Sequence, residues 1–450
     1  MRNLNLLVLH FFIVACATRY SVSDDYSHLI QSEHKSARKN QTVILFLVDG
    51  LPFRTLESMI HLKELPAIKN HFLKKETEIH QAYSAFPSLT YTNIAGLLTE
   101  KPVHLSMAYG NSLNENDKII RFEDVLLRSQ FADRLKGKTI FSRLTSGQEN
   151  SVSLDYGLGA EATVSSGFKD LKSGLAAGLK DYIYLDQKRI DSLENLLKST
   201  QPEKWPRFIF VHLIGVDFLS HELGPESIQV KKYLAALDHR LGHVLQLIEK
   251  SDSKSHQTIS VLTADHGFAL GIKKRYAIEK AVSNIDAKAL TLNEGRMAAV
   301  FTKKSPETVA RNLLIHPEIE TVASLQNDEL TVQSAKQKIV VRLVNQIGCL
   351  PSSKAVVQLD GKAVCPEFLD SASQDLFYPH FILNLIYYFQ AAHHPDVIII
   401  PAKQISFSFH EVGVHGGPTR DEIEVPVLLR NAVFPKQIKT PAIWELLQFI

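Results

Sequence analysis

The chain has little cysteine. Three occur in 450 residues, Cys16, Cys349 and Cys365, too few for a disulfide-built scaffold. It has no run of like charge, no low-complexity tract and no internal repeat, and its formal net charge is only +2. That balance argues against a nucleic acid duplex or an acidic surface as the main partner. Beyond the first twenty residues it has no apolar run long enough to span a bilayer. "FILNLIYYF", Phe381 to Phe389, is too short and carries Asn384. What remains is ordinary for a soluble globular protein with a large core: 45% hydrophobic and 22% charged residues. The length allows two or three domains, or one large α/β domain with insertions.

The first residues differ from the rest. "MRNLNLLVLHFFIVACATRY" has an early arginine, an apolar stretch and then small residues, the pattern of a secretory signal over residues 1–22. Ala15 and Ala17 fit an ordinary cleavage site. "IVAC" resembles a lipobox, which would make Cys16 the lipidated first residue and a membrane tether, and this reading is slightly favoured. A single N-terminal membrane helix is the third option. All three place the chain outside the cytoplasm, periplasmic or extracellular. Residues 23–40 are polar and charged, a tether, and Asn40 begins a glycosylation sequon, "NQT". In an exported chain Cys349 and Cys365 can close one disulfide; two unpaired buried thiols are the alternative.

From residue 41 the pattern changes. "TVILFLVDG" is continuously apolar rather than alternating, which suits a strand buried on both faces of a parallel sheet. "FIFVHLIGVD", "TISVLTADHG" and "DVIIIPA" behave alike. Helical patterns lie between them, such as Ser227 to Lys250. The expected fold is therefore α/β, a mostly parallel central sheet flanked by helices. "MAAVFTKKSPETVARNLLIH" reads as a strand and then a helix capped at Ser305 with Pro306 first. "ELTVQSA" and "KIVVRLV" follow as strands. These form a smaller α/β insertion at about 275–400 within a single domain over 41–450.

In open parallel sheets ligands gather beyond the carboxyl ends of the strands. The acidic and histidine residues fall there: Asp49, Asp217 with His221, Asp265 with His266, and His415 before the strand-like "VPVLLR". Singly, each has a bland account as a turn, a cap or a loop residue. Together they form two sets of three carboxylate and imidazole donors, the ligands that suit zinc-like ions. Two such ions about 3.5–4 Å apart can clamp a phosphoryl group. His239, His243, His393, His394 and His410 lack a matching carboxylate context. A further stretch, "FPSLTYTN" from Phe86 to Asn93, places Ser88, Thr90 and Thr92 before a helical run. Hydroxyls there are ordinarily helix caps.

The ordered set "FLVDGL", "FPSLTYTNIAGLLTE", "VHLIGVDFLSHELGP", "TADHGF" and "GVHGGPTRDEIEVPVLL" resembles the alkaline phosphatase superfamily, in its type I phosphodiesterase/nucleotide pyrophosphatase branch. The resemblance spans about Thr42 to Arg430. It implies an alkaline phosphatase-like catalytic domain with two divalent ions, most readily Zn2+. One ion would be held by Asp217, His221 and His415. The other would be held by Asp49, Asp265 and His266, with the oxygen of Thr90 as a further ligand. Thr90 matches the family's nucleophile, Asn93 the asparagine that helps hold a phosphoryl oxygen, and Ser88 a position that is neither. Thr92 stands where the family has proline, and Thr99-Glu100 where it has Thr-Gly. The arylsulfatase nucleophile motif is absent.

The resemblance implies cleavage of phosphodiester or pyrophosphate bonds in a small phosphate-ester or nucleotide-like substrate, through a covalent phospho-threonine. Two rivals use the same fold: a phosphomonoesterase or phospho-headgroup transferase on the same metals, and a binding lipoprotein without turnover. The pocket walls, residues 157–178 and the insertion after His266, are expected to set specificity.

Overall fold

The structure, a computed structural model, describes residues 41–73, 79–106, 108–115, 118–124, 128–155, 158–159, 161–165, 181–253, 256–343, 356–359, 362–364, 378–432 and 440–449. The signal, the tether, Cys16, Asn40 and the pair Cys349 and Cys365 lie outside these residues. Among the described residues no helix is long and apolar enough to cross a membrane.

The central sheet has seven strands in the order His80–Tyr83, Glu424–Arg430, Gln257–Thr263, Gln41–Val48, Phe208–Leu213, Ser151–Leu154, Val164–Ser165. The five from Gln257–Thr263 to Val164–Ser165 run parallel. Glu424–Arg430 runs against them, and His80–Tyr83 runs against it in turn. Gln41–Val48 lies in the middle, and Ile44 to Val48 are all at most 1% exposed. That double burial is why the run carries no polar alternation. Helices Tyr182–Ser199 and Ile228–Ser251 pack beside it, the second capped where its sequence indicates, by the Ser227 hydroxyl accepting from the Val230 N–H.

A second sheet is antiparallel throughout and has eight strands: Leu290–Asn293, Ala298–Phe301, Val397–Pro401, Ile319–Gln326, Glu329–Ser334, Lys338–Arg342, Val356–Leu359 and Lys362–Val364. Helices Ile278–Ile285 and Pro306–Leu313 pack on one face with Val397 and Ile399. Ile398 and Ile400 join the main core instead. The run "DVIIIPA" was therefore correctly continuous but belongs to this sheet. An apolar run reports burial on both faces, and burial on both faces does not require parallel pairing. Ser305 precedes the helix Pro306–Leu313 as expected, but its hydroxyl donates to Gln326 Oε1 at 3.1 Å rather than capping. "FILNLIYYF" is a helix, Phe381–Phe389, with all nine residues buried.

The sheet topology brings the chemistry together. The register pairs Val48 with Leu213 and Leu47 with Thr263. Three neighbouring strands thus end level, releasing Asp49, the turn before Asp217, and Asp265-His266 at one edge. The antiparallel strand begins at that same edge, because Val427 pairs with Thr263, so the chain from His415 arrives there. Tyr83 pairs with Glu424, which brings the Phe86–Asn93 stretch to the same place.

Candidate metal and phosphoester site

Helix Thr90–Thr99 starts at Thr90, with Leu89 as the flanking residue and no side-chain cap. The hydroxyls before it have other work. Ser88 donates to the Gly417 carbonyl (2.7 Å) and accepts from the Gly416 N–H (3.1 Å), which ties the loop carrying His415 to the helix start. Thr92 is fully buried within the helix. Thr90 alone is directed to the donor cluster, with its Oγ1 3.1 Å from His266 Nε2.

Around it the residues singled out in the sequence converge. His221 Nε2 lies 3.1 Å from His415 Nε2, and Asp217 Oδ1 lies 3.5 Å and 3.6 Å from those two nitrogens. His266 Nε2 lies 3.5 Å from Asp49 Oδ1 and 3.4 Å from Asp265 Oδ2. Asp217, His266 and His415 also present donor atoms within 4.8 Å of one another, as do Asp49, Asp265 and His266. His266 therefore lies between the two sets, with its ring stacked on that of His415 at 3.8 Å. Phe268, fully buried, sets its ring against all three imidazoles.

The donors' other bonds define what fits between them. His221 Nδ1 is 3.0 Å from the Gly413 carbonyl, His415 Nδ1 2.8 Å from the Ser88 carbonyl and His266 Nδ1 3.0 Å from the Gly267 carbonyl. A carbonyl only accepts, so each neutral ring carries its hydrogen on Nδ1 and a lone pair on Nε2. With both rings neutral, two such lone pairs would face each other at 3.1 Å, so a proton or a cation must lie between them. Asp49 Oδ1, Asp217 Oδ1 and Asp265 Oδ2 are buried and receive no hydrogen bond. These are the oxygens that approach the imidazole nitrogens. Acceptors aimed at one another with nothing to share are satisfied by cations, and the oxygen–nitrogen set suits zinc-like divalent ions.

The charge balance carries the same signature. Burial, then the charges of Asp265 and Asp217, push the Asp49 carboxyl well above its ordinary range. Burial opposes ionisation of Asp217 too, but the imidazoles of His221, His415 and His266 outweigh it and hold the carboxyl low. Burial and then the neighbouring imidazoles push His415 well down. His221, against burial, is raised to about 9 by Asp217 and Glu411.

Several residues that complete the site were not singled out. His212 Nε2 lies 2.7 Å from Asp49 Oδ2; its signal was a buried imidazole inside an otherwise apolar strand. Asp186 accepts from the Ile214 and Gly215 N–H groups (2.9 and 2.7 Å), fixing the turn before Asp217. Glu422 accepts from the Gly417 N–H at 2.8 Å and from the Thr419 hydroxyl at 2.6 Å. Gly50, at φ 67°, leaves no room for a side chain: a Cβ would stand 2.6 Å from Phe268 and 2.9 Å from Asp217 Oδ1.

Asn93 is placed differently from the expectation. It is fully buried, its Oδ1 accepting from the Ala85 N–H (2.6 Å) and its Nδ2 donating to the Leu89 carbonyl (3.0 Å). Both ends of the amide are committed to backbone, so it shapes the turn before Thr90. Asn111 lines the pocket over Thr90 instead, along with Asp49, Glu123, Leu158, Tyr182, His212, Ile214, Asp217, Phe218, His221, Glu222, His410 and Glu411. Glu100, the other departure, ends the helix in a left-handed conformation at φ 55°, about 15 Å along the axis from Thr90. The preference for glycine there is a matter of helix termination. Of residues 157–178, Leu158 lines the pocket; residues 166–178 lie outside the described ones.

Parallel strands that end together on buried carboxylates and imidazoles, with a hydroxyl at a helix start, define a class: α/β hydrolases acting on phosphoesters. The profile of the type I phosphodiesterase / nucleotide pyrophosphatase family matches residues 43–345, more than half of the chain. The chain belongs to that family, whose members are in general metal-dependent. Solved structures share the fold. Phosphonoacetate hydrolase from Sinorhizobium meliloti 1021, in complex with phosphonoformate, is 16% identical with a TM-score of 0.58, over 90% of this chain and 94% of that one. Murine ectonucleotide pyrophosphatase / phosphodiesterase 5, as an inactive threonine-to-alanine variant with AMP, is 13% identical with a TM-score of 0.58 and the same coverage. GPI ethanolamine phosphate transferase 2 of Schizosaccharomyces pombe is 25% identical over 103 residues, 23% of this chain and 14% of that protein.

Proposed function

We propose that this chain is an exported phosphodiesterase or pyrophosphatase that holds two zinc ions and works through a covalent phosphate on Thr90. One observation carries the reading: buried carboxylate oxygens without hydrogen bonds and imidazole nitrogens aimed at one another, beside the Thr90 hydroxyl. Asp217, His221 and His415 would hold one ion, and Asp49, Asp265 and His266 with Thr90 the other. Bound there, divalent ions neutralise a phosphate and lower the pKa of the threonine hydroxyl.

The protein's own groups do the rest. Thr90 stands in the first turn of its helix, where the dipole favours an anion. Its Oγ1, having lost its proton to solvent, bonds to phosphorus in line as the bond to the leaving oxygen breaks, and that oxygen takes a proton from water. A water then adds to phosphorus, the bond to Thr90 breaks, and the water's proton restores the hydroxyl. Asn111, whose Nδ2 donates to Glu123 at 2.8 Å, lines the pocket and would turn that donor to steady an equatorial oxygen. His212 fixes Asp49 from behind. A second reading puts an acceptor alcohol in place of the water. The likeness to the yeast ethanolamine phosphate transferase favours it over a simple monoesterase.

Thr90→Ala is expected to keep two zinc ions per chain by elemental analysis and to lose turnover of a bis-aryl phosphate by on the order of 10^4-fold. Ser88→Ala, which only loosens the His415 loop, retains measurable turnover. Full activity in Thr90→Ala with a dead Ser88→Ala would move the nucleophile to Ser88 and overturn the assignment. The mass of the exported protein's first peptide separates lipidation at Cys16 from ordinary cleavage.

A further inference from the structure

The long helix Ile228–Ser251 carries an imidazole pair that the Thr90 site does not use. His239 and His243 stand one turn apart, so their side chains share a helix face. Both are exposed, and their rings meet edge to face with centroids 4.9 Å apart at 70°. Two histidines at this spacing are the helical half of a zinc chelate, which a carboxylate completes. Their sequence neighbourhood offers none to solvent, since Asp238 is 2% exposed. The fold supplies one. The pair lines a groove of about 400 Å³ with Glu64, Pro66, Ala67 and Gln246, and the Glu64 side chain is exposed there.

Backbone contacts hold this groove in shape. The buried Asp238 carboxylate accepts from the Ala67 N–H (3.0 Å) and the Ile68 N–H (2.7 Å), which fixes the start of helix Pro66–Phe72 against the long helix. Gly242 lets the two approach: a Cβ there would stand 2.8 Å from that of Ala67. Glu64 sits in the turn between them, behind Lys63 at φ 62°, with its N–H donating to the Met59 carbonyl at 2.9 Å. Neither the two imidazoles nor the Glu64 carboxylate makes a hydrogen bond or ion pair with another described residue. Asp238, beneath the pair, adds negative charge within reach of His239. Two imidazole nitrogens and one carboxylate suit zinc, copper and nickel, whereas calcium and magnesium take oxygen shells. We propose that His239, His243 and Glu64 form a separate metal site for a transition ion of the zinc class, with water in its remaining positions. The ion would tie the long helix to the turn before Pro66–Phe72. None of these residues is a donor of the Thr90 cluster.

The full chain is dialysed to equilibrium against Zn2+, with Mg2+ as the control ion, and bound metal is counted. Wild type should hold one zinc per chain more than the His239→Gln/His243→Gln double variant. Losing only the partner of a metal ligand costs about 10–100-fold in affinity. Losing a ligand should therefore weaken this ion by at least about tenfold in each of His239→Gln, His243→Gln and Glu64→Gln. Cu2+ gives a second readout. The paramagnetic resonance of the added ion should show two equatorial nitrogens in wild type and one in each single histidine variant. At free zinc a hundredfold above Kd, wild-type Tm should rise by about 3–5 °C more than that of the double variant. All the substituted residues are exposed, and bis-aryl phosphate turnover should be unchanged. Equal zinc counts in wild type and the double variant overturn the proposal. So does an affinity that any of the three single substitutions leaves unaltered, or Mg2+ bound as tightly as Zn2+. The result is independent of Thr90: the extra ion can be present in a chain without turnover, and its absence leaves the phosphoester reading untouched.

Discussion

Glu422 is fully buried and touches no donor of the metal cluster, yet its removal should dismantle the site. One carboxylate oxygen accepts from the Gly417 N–H (2.8 Å) and the other from the Thr419 hydroxyl (2.6 Å). The carbonyl of the same residue accepts from the Gly267 N–H at 2.8 Å. Glu422 thus clamps the chain that carries His415 and the chain that carries His266. Arg296, 2% exposed, brings Nε to 3.7 Å from the carboxylate, and its own N–H donates to the His415 carbonyl (3.1 Å). Glu422→Ala leaves a buried guanidinium without its countercharge, which costs about 3–5 kcal/mol, and orphans one N–H and one hydroxyl. At roughly 1–2 °C per kcal/mol for a chain of this size, Tm should fall by about 3–10 °C. Glu422→Gln keeps the volume and one acceptor and should lose about half of that. The positional effect is separate: on the two-ion reading, bound divalent metal measured by elemental analysis should drop in both variants, because His415 is no longer held. Calorimetry with metal analysis reads both quantities. Unchanged Tm and an unchanged divalent-metal content in Glu422→Ala would refute the clamp.

His212→Ala removes the 2.7 Å partner of Asp49 Oδ2. It should weaken divalent-metal binding by about 10–100-fold, read by competition with a calibrated chelator. Unaltered affinity would show that Asp49 needs no support. Glu294 gives the pH dependence. Burial, then the charge of Glu123, raise its carboxyl to about 8. The folded protein therefore keeps a proton that the unfolded chain releases above about 4.3. Its stabilising contribution is complete below that value and is lost as pH rises toward 8. Glu294→Gln should flatten the fall in Tm between pH 5 and pH 8, by an amount worth at least about 1.4 kcal/mol. A wild-type and a glutamine profile that run parallel would exclude Glu294 as the source.

The central strands were legible because burial on both faces erases polar alternation, and the donors were legible because two strands run out into Asp49 and Asp265-His266 while Asp217 and His221 lie on the helix that follows a third. The same logic misplaced "DVIIIPA". Val397 and Ile399 face one core while Ile398 and Ile400 face another, and only the pairing partners reveal which sheet they serve. Asn93 was reached through the family resemblance alone. Its amide turns to the Ala85 and Leu89 backbone, while Asn111 reaches the pocket from a segment without a readable signature. His212 was visible as an imidazole in an apolar strand, but its meaning depended on Leu47 being its register partner and Asp49 following two residues on.

By itself, then, the sequence determined the α/β class, the donor types and their order along the chain, since burial periodicity and ligand chemistry are properties of local residue choice. Which amide lines the pocket and which carboxylate clamps the loops were decided by the tertiary structure alone. They depend on strand register and on the direction of an antiparallel strand at one sheet edge, and contacts between residues as far apart as Ser88 and Gly417 exist only once that sheet has formed.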